Sequence, residues 1–297
     1  MAQRLASMTG FGAAQGEAAW GSWSVTAKSV NGKGLDIRVN APPGFDILER
    51  EAKAEAGKRF RRGNLQVSIR IERSADQSDV RVDTALLNQL IAHHKEARPG
   101  SALSAEAVAT LMTVRGVVEP GAADLRALSG DSAVIEPLKA GLNSALDDVA
   151  STRAAEGKAL AALLTSILGE FHTALTSAND AAGGQPALLK ARLQGQLAEI
   201  GAENAVDADR LAAEVALSVA KSDVREELDR LAAHFARAET LIAGGSPVGR
   251  QLDFLCQEIS REANTLCAKS ASLELTNAGL ALKALVDQFK EQAANVE

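Results

Sequence analysis

Between Gly249 and Ser270 the chain reads GRQLDFLCQEISREANTLCAKS, and side chains able to do chemistry are densest there. Leu252, Leu255, Ile259, Ala263 and Leu266 step by three and four, the spacing of one helix face that faces a core. Asp253, Gln257, Glu258, Arg261, Glu262, Asn264, Thr265 and Lys269 fall elsewhere on that helix. Glu258 and Glu262 are four residues apart, so their carboxylates stand one turn from each other. Like charges at that spacing repel unless a positive group lies between or beside them, and Arg261 is adjacent. A face that only had to be soluble could use Lys and Glu in any order. This one adds Gln, Asn, Thr and Arg, the side chains of directed hydrogen bonding.

A second informative stretch, Asp207 to Ala243, must position the first. Leu228, Leu231, Phe235, Ala238 and Ile242 form a stripe to be buried, while Glu226, Arg230, His234 and Arg237 share a different face. Glu227 and His234 are seven residues apart, two turns along one side. Ser222 or Asp223 stands where this helix needs a cap. Gly244-Gly245-Ser246-Pro247 stops it, and so short a connection folds the two helices into an antiparallel hairpin whose polar faces can meet. Two plain readings compete with a site. An amphipathic helix ordinarily turns charge to solvent, and an interhelical salt-bridge network with Arg230, Arg250 and Arg261 explains the same charges without a ligand. His234 can equally be a half-buried histidine making one structural hydrogen bond.

Toward the N-terminus the pattern changes. SMTGFGAAQG carries small residues and two glycines of turn type, and SWSVTAKSV alternates. Asn31-Gly32 reads as a hairpin turn returning into LDIRV. Pro42-Pro43-Gly44 breaks the chain, Asp46 caps a helix from Ile47 to about Phe60, and LQVSIRIER is a strand of strict period two. Helices are expected from Asp83 to about His94 and from Ser104 to Leu111, with His93 and His94 exposed at a helix end. From about Asp131 the chain reads as helical almost to its end, with Pro137 in a first turn. A last helix, about Ser272 to Asn295, sets Leu275, Ala278, Leu282, Leu285, Phe289, Gln292 and Val296 on a heptad seam. The expected fold class is α+β: a small strand-rich N-terminal unit, then a mainly α-helical C-terminal region with long antiparallel helices. The division falls as 1–150 and 151–297.

Composition sets bounds. The chain has 297 residues, abundant aliphatics, few aromatics and no Tyr, with a formal charge of −6. Nucleic-acid contact would therefore depend on local basic patches or bound cations. The densest basic run is Lys58, Arg59, Arg61 and Arg62. Cys256 and Cys267 sit beside an apolar stripe, so free thiols in a reducing compartment are expected. No N-terminal apolar leader and no bilayer-spanning run is read, and the expected location is the cytoplasm. There is no phosphate-cradling P-loop, no dinucleotide fingerprint and no nucleophile elbow.

The stretch GRxLDFxxQExxRExNTxxxKS resembles the C-terminal signature of the YicC family of bacterial endoribonucleases. RLxxEVAxxxxKxDxxEELxRLxxH from Arg210, RxxEGxxL at Arg153 to Leu160, SMTGFG, SVN and RGNLQVSIRIE are similar to further motifs of that family. The likeness is weak from about Asp76 to Ala150. After SVN the family pattern carries a basic and an aromatic residue; here Lys33 supplies the first and the second is missing. The resemblance implies a metal-dependent endoribonuclease acting on single-stranded or structured RNA, assembled as a homohexamer. The alternative is a non-catalytic RNA-binding adaptor that presents RNA to another nuclease. Cleaving RNA requires an activated nucleophile and neutralised phosphate charge, and hard carboxylate donors suit Mn²⁺ or Mg²⁺, with one imidazole favouring Mn²⁺. The assignment is Glu258 and Glu262 to metal binding, with Glu227 and His234 joining them as catalytic groups from the facing helix. Lys33, Arg62, Arg250, Arg261 and Lys269 would contact RNA.

Overall fold

Alternation decides the N-terminal sheet. In β4 (Gly63–Arg73), Leu65, Val67, Ile69 and Ile71 are buried while Asn64, Gln66, Arg70 and Glu72 are exposed. β1 (Gly10–Ala18) pairs antiparallel with β2 (Gly21–Val30), which pairs antiparallel with β4; β3 (Leu35–Asn40) pairs with β4 in parallel. The order is β1-β2-β4-β3, and α1 (Asp46–Arg59) makes the crossover from β3 to β4. The computed structural model describes residues 4–73, 80–100, 102–120, 125–199, 201 and 207–297.

The inner sheet face packs on Leu48, Ala52 and Ala56 of α1 and on Val134, Leu138, Leu142, Ala145 and Val149 of α4 (Ser132–Gly183). A two-stranded ladder, β5 (Val80–Val82) with β6 (Val118–Pro120), accompanies α2 (Thr84–Ala97) and α3 (Ala105–Met112), neither of which buries a residue. α4 then runs for 52 residues. Leu160, Leu164, Ile167, Phe171 and Leu175 of its second half join a separate core with α7 (Arg225–Gly244), α8 (Gly249–Lys269) and α9 (Leu273–Ala293). α4, α7, α8 and α9 form a four-helix bundle in which α8 lies between α7 and α9. Phe171 stacks on Phe235 with ring centres 4.3 Å apart. α5 (Gln185–Glu199) and α6 (Ala208–Lys221) pair with each other at the far end of α4. The expected division at 150/151 falls inside α4. By length and composition this helix could cross a bilayer, which the sequence reading did not anticipate, but its buried side chains belong to the two cores.

The α+β fold class is as expected, and five local readings are corrected. Asp46 is the first helical residue of α1, behind Phe45, and its side chain makes no capping hydrogen bond. Asn31-Gly32 does not close a hairpin, because β4 lies between β2 and β3; the tight turn is Ala18–Gly21, where Gly21 has φ of 143°. Gly10 and Gly12 lie inside β1 and not in turns, and a Cβ at Gly12 would collide with the Ala145 carbonyl of α4. Pro137 lies beyond the first turn of α4, which starts at Ser132 behind the cap Asp131. In α9 the buried set is Leu275, Ala278, Leu282, Val286, Phe289 and Ala293, so the seam drifts off the heptad onto Val286. A straight helix packed inside one bundle keeps a period of 3.6, and only supercoiling holds 3.5.

Arg153 of α4 joins the two cores. It is 2 % exposed, and its Nε donates to the Ser7 carbonyl at 2.6 Å. Its Nη2 donates to the Arg62 carbonyl at 3.1 Å and pairs with Glu297 Oε1 at 3.2 Å, and the guanidinium lies 4.7 Å from the Phe60 ring centre. Burial lowers its pKa from the ordinary value, and Glu297 opposes that. Arg153→Ala, by stranding Glu297 in the interior, is expected to cost about 3–5 kcal/mol in denaturant unfolding. Arg153→Met paired with Glu297→Gln should recover much of the loss; a cost below about 1 kcal/mol for Arg153→Ala would contradict a buried charge pair.

Candidate functional site

α7 and α8 run antiparallel, and each contributes one acid and one base to the other. Lys269 near the end of α8 donates to Glu227 Oε1 near the start of α7 at 2.8 Å and to the Asp223 carbonyl at 3.1 Å. Arg230 of α7 reaches Glu262 of α8 at 3.3 Å and also holds Glu226 one turn back. Glu227 and Glu262 are buried, so both carboxylates depend on these cations to offset lost hydration. Glu227 Oε2 is buried without a hydrogen-bond partner among the described residues. This lattice clamps the hairpin, and it uses Arg230 as the salt-bridge reading required.

The other face of α8 is open. Arg250, Phe254, Glu258 and Arg261 are exposed and follow one another at turns of three and four residues. Arg250 lies 5.7 Å from the Phe254 ring centre. Among the described residues Arg250, Glu258 and Arg261 enter no ion pair, so their charges are free for a ligand. His234 is half-buried on α7, and the antiparallel register set by the two ion pairs brings it level with the 258 turn of α8. Glu258 and Glu262 thus part company: the first faces out, the second inward to Arg230. Among the described residues no three His, Cys, Asp or Glu side chains come together as a metal-ion site.

The remaining expected contacts lie beside the first turns of α8 and in the β2–β3 loop. Arg62 is 3.6 Å from Asp253 of α8, and its Nε and Nη1 are buried without hydrogen-bond partners among the described residues. A Cβ at Gly249 would collide with that guanidinium and with the Val296 carbonyl, so the start of α8 needs glycine there. Glu297 Oε1 accepts from the amides of Arg61 and Arg62 at 2.6 and 3.2 Å, while its main-chain oxygen accepts from Val248 and Gly249. Lys33 is exposed in the β2–β3 loop, whose Asn31 meets Asn295. Sequence reasoning gave Arg153 and Phe254 no role beyond their places in the RxxEGxxL and GRxLDF motifs, and it missed Glu297.

The cap region has its own electrostatics. Asp223 accepts from Arg225 through the side chain, at 2.8 Å, and through the backbone amide, at 3.0 Å. Those bonds hold its carboxyl down at about 2. A depressed folded pKa means a contribution that is complete above the ordinary carboxylate pKa and lost as pH falls through about 2. Carbon-detected NMR titration should place the Asp223 midpoint near 2 in the native protein, and Arg225→Ala should return it toward the ordinary range. A midpoint near 4 in the parent protein would refute the pairing.

Comparison with known proteins agrees with this architecture. A model described as "Endoribonuclease YicC-like, N-terminal region" matches residues 5–162, and one described as "Endoribonuclease YicC-like, C-terminal" matches residues 178–297. The chain is 29% identical over 294 residues to the probable endoribonuclease YicC of Haemophilus influenzae, covering 98% of this chain and 99% of that one. Against the probable endoribonuclease YicC of Clostridioides difficile it is 24% identical over 297 residues, with 98% and 99% covered. With both models matched and nearly the whole length shared, the chain belongs to the YicC-like endoribonuclease family.

Proposed function

We propose that this protein is an endoribonuclease that takes RNA along the open face of α8. Beside family membership, the observation that supports it is the division of labour on the α7–α8 hairpin. Two buried acids, each paired with a more exposed base from the facing helix, make the scaffold rigid, while Arg250, Phe254, Glu258 and Arg261 stand uncommitted above it. In this reading the two arginines hold phosphates and Phe254 stacks a base. His234 takes the proton from a ribose 2′-hydroxyl as its oxygen attacks phosphorus; the P–O5′ bond breaks, water protonates the departing 5′-oxygen, and a 2′,3′-cyclic phosphate is left. Glu227 and Glu262 hold Lys269 and Arg230 in place, acting through position.

Among the described residues of one chain, the acids and histidines do not assemble a complete ligand set for the Mn²⁺ or Mg²⁺ expected from the sequence. Glu262 is engaged by Arg230, and the described acids and histidines do not converge. Glu258 is an accessible carboxylate on the open face of α8, and further donors would have to come from RNA or from a second copy. Assembly with other copies, hexameric by family resemblance, and a cytoplasmic location belong to the same proposal. The exposed Leu188 and Leu217 on the α5–α6 pair, where α6 buries nothing, support further association.

The adaptor reading has one observation in its favour: the two buried acids are consumed by structural pairs. Gel assays on end-labelled RNA with the purified protein separate the two. As an enzyme, His234→Ala should lose about 10²–10⁴-fold in cleavage rate while RNA binding changes little. Arg261→Ala should weaken binding and lower its salt dependence by about 0.7 in log–log slope. RNA binding without cleavage, with and without added Mn²⁺ or Mg²⁺, would replace the enzyme by the adaptor.

A further inference from the structure

The outer face of the N-terminal sheet is left open, because α1 and α4 cover only the inner one. The strand register puts four side chains in one row across all four strands. Phe11 of β1 is opposite Lys28 of β2, Lys28 is opposite Gln66 of β4, and Gln66 is opposite Arg38 of β3. All four are exposed, Phe11 by 56%. Their chain neighbours Gly12, Ala27 and Val67 are buried, which fixes the row on the outer face.

We propose that this row is a binding platform for single-stranded RNA, with Phe11 as the stacking surface and Lys28 and Arg38 as phosphate contacts. The inference rests on the reading of the protein as RNA-directed and adds a second station to it. Three features favour that occupant. A large aromatic this exposed on a strand has no core to serve, and every base offers a face to stack on it. Lys28 has no ion pair among the described residues of a chain whose formal charge is −6, and the Arg38–Asp36 pair at 3.1 Å is exposed and weak. The Gln66 amide has no hydrogen-bond partner among the described residues, so donors and acceptor are available for a base edge.

The surroundings suit a chain laid across the strands. The next row inward, Ala13, Thr26, Ser68 and Asn40, is small and polar and leaves the ring accessible. The row on the other side, Val30, Asn64 and Asp36, borders a shallow hollow of about 230 Å³ lined also by Lys28, Arg38 and Gln66. That hollow adjoins the loop carrying Lys33, where an aromatic is missing after SVN, and Phe11 supplies a ring on the same sheet. The carboxylates of Glu17 and Glu72 gather at the opposite end of the face. From Phe11 to Arg38 the row crosses three strand spacings, about 14 Å, a footprint of about two bases.

Fluorescence anisotropy with a 5′-labelled, 2′-O-methyl single-stranded 12-mer, which lacks the attacking hydroxyl so that binding is read apart from cleavage, tests this. Phe11→Ala should weaken binding by about 5- to 150-fold, and Phe11→Trp should restore it. Lys28→Gln should lower the salt slope by about 0.7. A fully paired RNA of the same length should bind the parent and Phe11→Ala alike, because its bases are not free to stack. Matching thermal melts confirm that these surface variants fold. Affinities equal to the parent's for Phe11→Ala and Lys28→Gln overturn the platform while leaving the α8 reading intact. A parent that binds no RNA overturns both. If Phe11→Ala alters sedimentation but not RNA affinity, the face is a contact between copies of this chain and the proposal fails.

Discussion

A guanidinium buried at the junction of two cores is the constraint on which the rest of this structure turns. Arg153 cannot shed its charge, so every donor it carries needs an acceptor inside the protein. It finds them in the Ser7 carbonyl, the Arg62 carbonyl and the Glu297 carboxylate, which come from widely separated parts of the chain. Satisfying one side chain therefore fixes where the N-terminal segment, the turn before β4 and the last residues must lie. Those segments in turn set the entry to α8: Glu297 accepts from the Arg61 and Arg62 amides and from Val248 and Gly249. The open face of α8 is aimed by a contact in which none of its own polar side chains takes part.

A second economy is visible on the α7–α8 hairpin. Charges that would repel along one helix are distributed across two, each acid facing a base from its neighbour. Burying such pairs adds little net stability over apolar packing, but it sets the register of the two helices strictly, since a one-turn slip would leave Glu227 and Glu262 uncompensated. Rigidity of that kind is what a surface needs if it is to hold a flexible polynucleotide in a defined position.

Much of this was legible in the residues. The stripe Leu252, Leu255, Ile259, Ala263 and Leu266 is buried as its spacing requires, and the alternation of LQVSIRIER is the alternation of β4. Hairpin formation by α7 and α8 followed from a short glycine-rich connection. What escaped was information no local window contains. Strand order depends on which edge accepts β3, and the parallel insertion of β4 leaves no mark on Asn31-Gly32. Arg153 lies in a helix rich in Ala and Leu, in a stretch (STRAAEGK) where an arginine reads as solvated; only the meeting of distant segments makes it internal. The split of Glu258 from Glu262 is subtler still. Four residues turn a helix by 400°, so the pair is offset by about 40°, enough at the rim of a packed face to put one carboxylate in water and the other under Arg230.

α4 carries a consequence of its own. At 52 residues it is a rod about 78 Å long, seated at one end under the sheet and bearing the α5–α6 pair at the other. Stiff over that length, it converts angle into travel: a rocking of about 5° at the sheet displaces the distal tip by about 7 Å. A tilt of sheet and helix together would carry the α5–α6 pair by that distance, and the packing of Leu160 to Leu175 against α7, α8 and α9 is what resists it.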